Sequence, residues 1–211
     1  MQKTKVKELK TQRSRQAVGR QSKAKGSQFE REICRLLSKW WTSSARDDIF
    51  YRTGASGGRA TSRAVKGAST ANSAGDVGYL DADGEPLLKA FTFELKKGYP
   101  AVSIVRLIDN PLAVKSDNLA GWFAQAEAES KLASSLSWVV IHSSPRKPTL
   151  IYLPAIAHLK LMELSSEPSR GAYATIRAPG LAGDRAVAVT TLENFLRVAT
   201  RASILKWLGK K

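Results

Sequence analysis

A chain of 211 residues with 43% hydrophobic content suits one domain with appendages, or at most two small ones, and can bury a core. Its 34 basic residues against 18 acidic ones leave a net charge of +16, which selects no fold but predicts polyanionic partners, nucleic acid first and an anionic membrane surface second. No apolar run reaches the ~18 residues that a bilayer span needs, and the single cysteine, Cys34, excludes an internal disulfide and a thiolate metal cluster.

Residues 1–25 hold nine Lys or Arg against one acid, Glu8, and read as a solvated basic arm that can turn helical on DNA. With no apolar stretch behind those charges it is not a secretory signal, so a reduced, cytoplasmic setting is expected. A merely solubilising tail is the alternative. From Gly26 onward Phe29, Ile33, Leu36, Leu37 and Trp40 recur at helical spacing, which predicts an amphipathic helix of about four turns. Cys34 falls within it as a small core residue. DIFYRTG (48–54) reads as a short strand. The stretch 55–75 carries Arg59, Arg63 and Lys66 but no acid, and a loop of that length is functional or disordered.

Residues 75–98 read as a hairpin: DVGYL, a turn at DADG, then FTFELKK. A second helix follows over SDNLAGWFAQAEAESKLASS (116–135), capped by Ser116 or Asp117 and anchored by Leu119, Trp122, Phe123 and Leu132. Strands SWVVIHSS and TLIYLP flank SPRKP, and a short helix covers 154–164. AYATIRA and RAVAVTT form a second hairpin, and LENFLRVATRASILKWLGKK closes the chain as one amphipathic helix. The order predicts a mixed α/β sheet flanked by helices: an arm (1–25), a core (26–150) and a C-terminal extension (151–211) of hairpin and helix. His142 and His158 stand alone in apolar surroundings and read as structural.

The chemistry gathers around FTFELKKGY (91–99). Phe91, Phe93 and Leu95 take one face of a period-two strand; Thr92, Glu94 and Lys96 take the other, with Glu94 and Lys96 about 7 Å apart. The pair could be an exposed ion pair or half of an active site. Asp76 opens the preceding strand, so antiparallel pairing would bring two carboxylates and a lysine to one rim. That set suits Mg²⁺, which takes oxygen ligands and few carboxylates. The lysine would orient or deprotonate an attacking water. Glu30 and Glu32 lie two positions apart and do not share a helix face. Glu30 would lean toward the core side and complete the ion's outer shell, or merely meet the helix dipole as a first-turn acid.

An Asp followed by Glu-x-Lys, after a helix bearing Glu, resembles the PD-(D/E)xK nuclease superfamily. KGSQFEREICRLL is similar to the first helix of archaeal-type Holliday-junction resolvases, and WFAQAEAES resembles the helix after the catalytic strand in phage-encoded members. The resemblance implies a restriction-endonuclease-like sheet with Glu30, Asp76, Glu94 and Lys96 as catalytic residues. It implies Mg²⁺, with Mn²⁺ as substitute, held by Asp76, Glu94 and the Leu95 carbonyl. DNA contacts would come from Lys25, Arg31, Arg52, Arg59, Arg63, Lys66 and Lys97, although Lys97, on the opposite face from Lys96, reads more readily as a solvated charge. Gln125 is an accessory candidate or a plain surface amide. Gly75 stands where the family pattern has proline. The expected activity is endonucleolytic cleavage of branched DNA by a homodimer, since a four-way junction needs two symmetric cuts. The rivals are a nuclease without junction preference and a DNA-binding accessory protein with a degenerate site. The 55–75 loop is expected to order over the DNA backbone beside the scissile bond.

Overall fold

Helix α1 covers residues 24–41, and the face it buries carries Phe29, Ile33, Leu37 and Trp41 at four-residue spacing, with Cys34 beside them. The inward stripe is therefore turned by one position from the expected one. Leu36 is 39% exposed, and Trp40 is partly buried, donating its indole N–H to the Leu196 carbonyl at 2.8 Å. The computed structural model describes residues 24–54, 65–66, 72–100, 103, 118–166, 173–177 and 186–210. The arm up to residue 23 and most of the acid-free loop, Arg59 and Arg63 included, lie outside the described residues, as do Ser116 and Asp117.

Strands β1 (Phe50–Arg52) and β2 (Val77–Tyr79) form an antiparallel ribbon, with Phe50 opposite Tyr79 and Arg52 opposite Val77. The expected hairpin between DVGYL and FTFELKK does not form. DADG starts a helix instead: the Asp81 carboxylate accepts the Asp83 N–H at 2.9 Å and caps a 3₁₀ turn over Ala82–Gly84. Helix α2 (Glu85–Ala90) follows, with a proline in its first turn, Glu85 near its N-terminus and Lys89 in its last turn, all favoured placements. Leu87 and Ala90 bury its inner face. Strand β3 (Phe91–Lys97) then pairs in parallel with β4 (Ser137–Ser143), from Phe91 opposite Ser137 to Lys97 opposite Ser143. Parallel neighbours need a long crossover, and helix α3 (Leu119–Ala133) lies within it.

Strand β5 (Leu150–Pro154) turns back antiparallel to β4, and helix α4 (Ala155–Leu164) follows. Strands β6 (Ala174–Arg177) and β7 (Ala186–Thr191) pair as expected, and β7 docks on β5. The sheet order is β3-β4-β5-β7-β6. The expected boundary between residues 150 and 151 thus falls inside β5, and the chain beyond it completes the same sheet. The expected single closing helix is two: α5 (Leu192–Val198) and α6 (Arg201–Trp207). Ala199 leaves helical geometry, and the Thr200 hydroxyl caps α6 by accepting the Ser203 N–H at 3.1 Å. No helix among the described residues is long and apolar enough to cross a membrane.

Strand alternation divides the core into two layers. Phe91, Phe93 and Leu95 of β3 join Val139, Ile141, Ile151 and Leu153 under α1, α5 and α6. Trp138, Val140, Tyr152 and Val189 face the other way and pack with Trp122 and Phe123 of α3. His142 and His158 are buried, and burial pulls both imidazoles below the ordinary range. The layering leaves one anomaly. Strand β3 offers α3 not apolar side chains but Thr92, Glu94 and Lys96. Ionised groups in that position cost several kcal/mol unless well paired, which makes the strip the candidate site.

Candidate active site

Gly75 sets the entrance to the site. Its φ of +74° lies in the left-handed region, and a Cβ built there would stand 2.8 Å from both the Phe93 carbonyl oxygen and Thr92 Cγ2. Only glycine lets this turn press on the edge of β3. Proline, held near φ −65°, cannot replace it, which accounts for the departure from the family pattern. The close approach lets the Asp76 N–H donate to the Phe93 carbonyl at 2.8 Å, while an Asp76 carboxylate oxygen accepts the Leu95 N–H at 2.8 Å. Asp76 therefore takes the place of a neighbouring strand along the free edge of β3. A strand residue's N–H and C=O point to the same side, so the Leu95 carbonyl also projects from that edge. Thr53 steadies the turn, donating its N–H to the Asp76 carbonyl at 3.1 Å and its hydroxyl to the Gly75 carbonyl at 2.5 Å.

Glu94 is 2% exposed, with Oε1 accepting from Lys96 Nζ at 2.5 Å. Its other oxygen, Oε2, is buried with no hydrogen-bond partner. Burial, and then the charge of Asp76, push its carboxyl up to about 8; Lys96 pulls the other way, and Glu129 adds a further small push upward. Lys96 Nζ also donates to Gln125 Oε1 at 3.1 Å, and Gln125 Nε2 donates to Glu129 Oε1 at 3.2 Å. Gln125 is thus no plain surface amide. Glu129, which sequence reasoning did not single out, is 3% exposed on the face of α3 turned to the sheet. Its signal was legible: it falls three residues after Ala126 and seven after Trp122, both inward-facing.

Glu30 accepts a short hydrogen bond from Arg52 Nε and is half-buried, whereas Glu32 stands exposed and pairs with Gln28. Cys34 lies within electrostatic reach of this pair and of Asp76. Its thiol is pushed up to about 12, first by burial and then by the charges of Glu30 and Asp76, with Arg52 opposing them. A thiol so held stays protonated and is no nucleophile.

The candidate DNA contacts divide. Lys25 and Lys66 are exposed, and Arg31 is exposed with its guanidinium donating to Ser27 Oγ at 2.8 Å. Lys97 lies on the opposite face from Lys96, its ammonium 4.8 Å from the centre of the Phe29 ring. A groove of about 390 Å³ runs beside α1 and β1, lined by Arg31, Arg35, Arg52 and Tyr51. Arg35, one turn on from Arg31, was another residue the sequence offered unnoticed. Because Arg52 both lines this groove and holds Glu30, the groove adjoins that half-buried carboxylate.

A mixed five-stranded sheet between helical layers, with an Asp and a Glu-x-Lys meeting at the free edge of one strand, is the arrangement of a restriction-endonuclease-like nuclease. The chain belongs to the family described as "Phage putative PDDEXK endonuclease", whose model matches residues 21–206. That match spans the sheet from end to end. A search of curated proteins and a search of solved structures each returned no match.

Proposed function

We propose that this protein is a Mg²⁺-dependent DNA endonuclease in which Asp76, Glu94 and the Leu95 carbonyl hold the ion and Lys96 handles the attacking water. The observation that carries the reading is the convergence of Asp76 and Glu94 at the edge of β3, with one Glu94 oxygen buried and unpaired. Among the described residues no three Asp, Glu, His or Cys side chains form a ready ligand cluster. Two carboxylates and a carbonyl, completed by water, are nevertheless what Mg²⁺ accepts, and Mn²⁺ takes the same oxygen donors. The ion would supply Lewis-acid charge to the scissile phosphate. Lys96, whose ammonium Gln125 holds, would face the scissile phosphate. Glu30 and Arg52 form an ion pair, and Arg52 stands opposite Val77, the residue after Asp76.

Two results test the metal reading without activity. Glu94 carries a folded-state pKa of about 8 against an ordinary 4.5. A raised acid stabilises the fold fully below the ordinary value and loses that contribution as pH rises through the folded one. The melting temperature of the metal-free protein should therefore fall as pH rises from about 4.5 to about 8. Ca²⁺ should flatten that fall, because a cation stabilises the ionised carboxylate. The same pH profile in Glu94→Gln would show that Glu94 is not the group responsible.

The arginine groove gives the DNA its path. Each phosphate neutralised on a duplex contributes roughly −0.9 to the log–log salt slope of binding. Arg35→Ala should flatten the slope by about 0.9 and Arg31→Ala/Arg35→Ala by about twice that. Deleting residues 1–24 should flatten it by several units more. Slopes that do not move would put the DNA elsewhere.

We further propose branched DNA as the preferred substrate and a two-fold dimer as the working unit, on the likeness of KGSQFEREICRLL to the resolvase helix. A labelled four-way junction, a flap, a linear duplex and a single strand, each incubated with Mg²⁺, form the test. Faster cutting of the junction supports the proposal. Equal rates point to a nuclease without junction preference.

A further inference from the structure

Of the buried acids around β3, Glu129 has no place in the reaction so far. It lies on the face of α3 turned to the sheet, 3% exposed, and its Oε2 has no hydrogen-bond partner. A carboxylate so placed destabilises the fold unless it answers to something else. Its one hydrogen bond answers to Gln125: Nε2 of that amide donates to Glu129 Oε1 at 3.2 Å. Gln125 Oε1 in turn accepts from Lys96 Nζ at 3.1 Å.

An amide side chain has two ends, one that only donates and one that only accepts. A carboxylate can only accept, so Glu129 fixes which end of Gln125 is which. The NH₂ must face α3, and the oxygen must face Lys96. With the amide reversed, its NH₂ would be aimed at an ammonium, and both donors would lose their partner.

Resting on the nuclease reading above, we infer that Glu129 is a positioning residue for Lys96, acting through Gln125. The lysine has two acceptors in the folded chain, Glu94 Oε1 and Gln125 Oε1. Glu94 is the one that a cation would claim. Gln125 then remains the anchor that keeps the ammonium at the strand edge, and Glu129 holds that anchor in register. The line Glu129–Gln125–Lys96 is a three-residue chain from helix to strand, and each member has its donor or acceptor role set by the next.

The experiment compares Glu129→Leu, Glu129→Gln, Glu129→Asp, Gln125→Ala and the double variant Gln125→Ala/Glu129→Leu. Melting temperature is read without metal, DNA affinity without metal, and kcat and KM with Mg²⁺. Glu129→Leu is close in volume and removes the acceptor together with the buried Oε2 that has no partner, so its melting temperature should hold or rise. Its kcat should drop roughly tenfold or more, as losses of supporting hydrogen bonds around a site do, with KM and DNA affinity unchanged. Glu129→Gln still offers an amide oxygen to the Gln125 NH₂ and should keep most of the kcat. The double variant should be no slower than Gln125→Ala alone, because residues acting in series do not add. Glu129→Asp keeps the charge but withdraws the carboxylate, and it should lose kcat as well; it carries the test if Glu129→Leu fails to fold. An unchanged kcat in Glu129→Leu, or in Glu129→Asp where it stands in, would overturn the inference, as would a loss in Glu129→Gln as large as in Glu129→Leu, or fully additive losses in the double variant. Wild-type protein that cuts no DNA would instead overturn the nuclease reading on which the inference stands.

Discussion

Replacing Asp76 by Asn or Glu94 by Gln is expected to abolish metal-dependent cleavage, by on the order of 10³-fold or more, while DNA affinity holds or tightens. Both changes keep the side-chain shape, so Asp76 can still accept the Leu95 N–H through its amide oxygen and the edge of β3 stays closed. What disappears is the negative oxygen that a divalent cation needs. Removing a negative charge from a basic surface favours a polyanion, hence the unchanged or tighter binding. Glu94→Gln should also raise the melting temperature of the metal-free protein above neutral pH, because Asp76 no longer faces a second buried acid. Loss of activity coupled to gain of stability separates a functional carboxylate from a structural one. Parallel measurement of cleavage rate, DNA affinity and melting temperature checks all three, and wild-type turnover in either variant would remove that residue from the site.

Gly75→Ala should rank next in effect. The left-handed φ alone costs about 1–2 kcal/mol for a residue with a Cβ. The larger penalty is contact: the new atom would lie 2.8 Å from the Phe93 carbonyl oxygen, which is main chain and cannot swing away. The turn must back off, and the Asp76 N–H to Phe93 bond goes with it. Since a displacement of about 1 Å at reacting groups is worth on the order of 10²-fold in rate, cleavage should fall at least that far. Gly209→Ala is the control: its φ is likewise positive, at +69°, but nothing lies within 4 Å of the added carbon. Near-normal cleavage by Gly75→Ala would show that the Gly75 turn does not place Asp76.

Much of this architecture was legible in the residues. The alternation of Phe91, Phe93 and Leu95 against Thr92, Glu94 and Lys96 assigned the two faces of β3, because the period of a strand leaves no other choice. The C-terminal strand pairs were readable for the same reason. The hairpin at 75–98 misled because Asp-Ala-Asp-Gly is both good turn chemistry and a good helix start. Pro86, Leu87 and Ala90 decided for the helix. Asp76 nevertheless meets Glu94, by a route no local pattern announces: a backbone approach across a glycine to a strand whose sheet partner lies over forty residues further on. Glu129 escaped notice because a lone glutamate on a helix is usually solvated. Its burial depends on what β3 presents beneath it.

The central claim meets its most direct test on covalently closed plasmid DNA, which offers no ends and so reports internal cuts alone. The purified protein should nick or linearise the plasmid in Mg²⁺ and Mn²⁺. EDTA should stop it, and Glu94→Gln should leave the plasmid supercoiled in the same buffer. Wild-type protein that binds the plasmid but leaves it closed with either metal, or cuts it equally well in EDTA, would contradict the account.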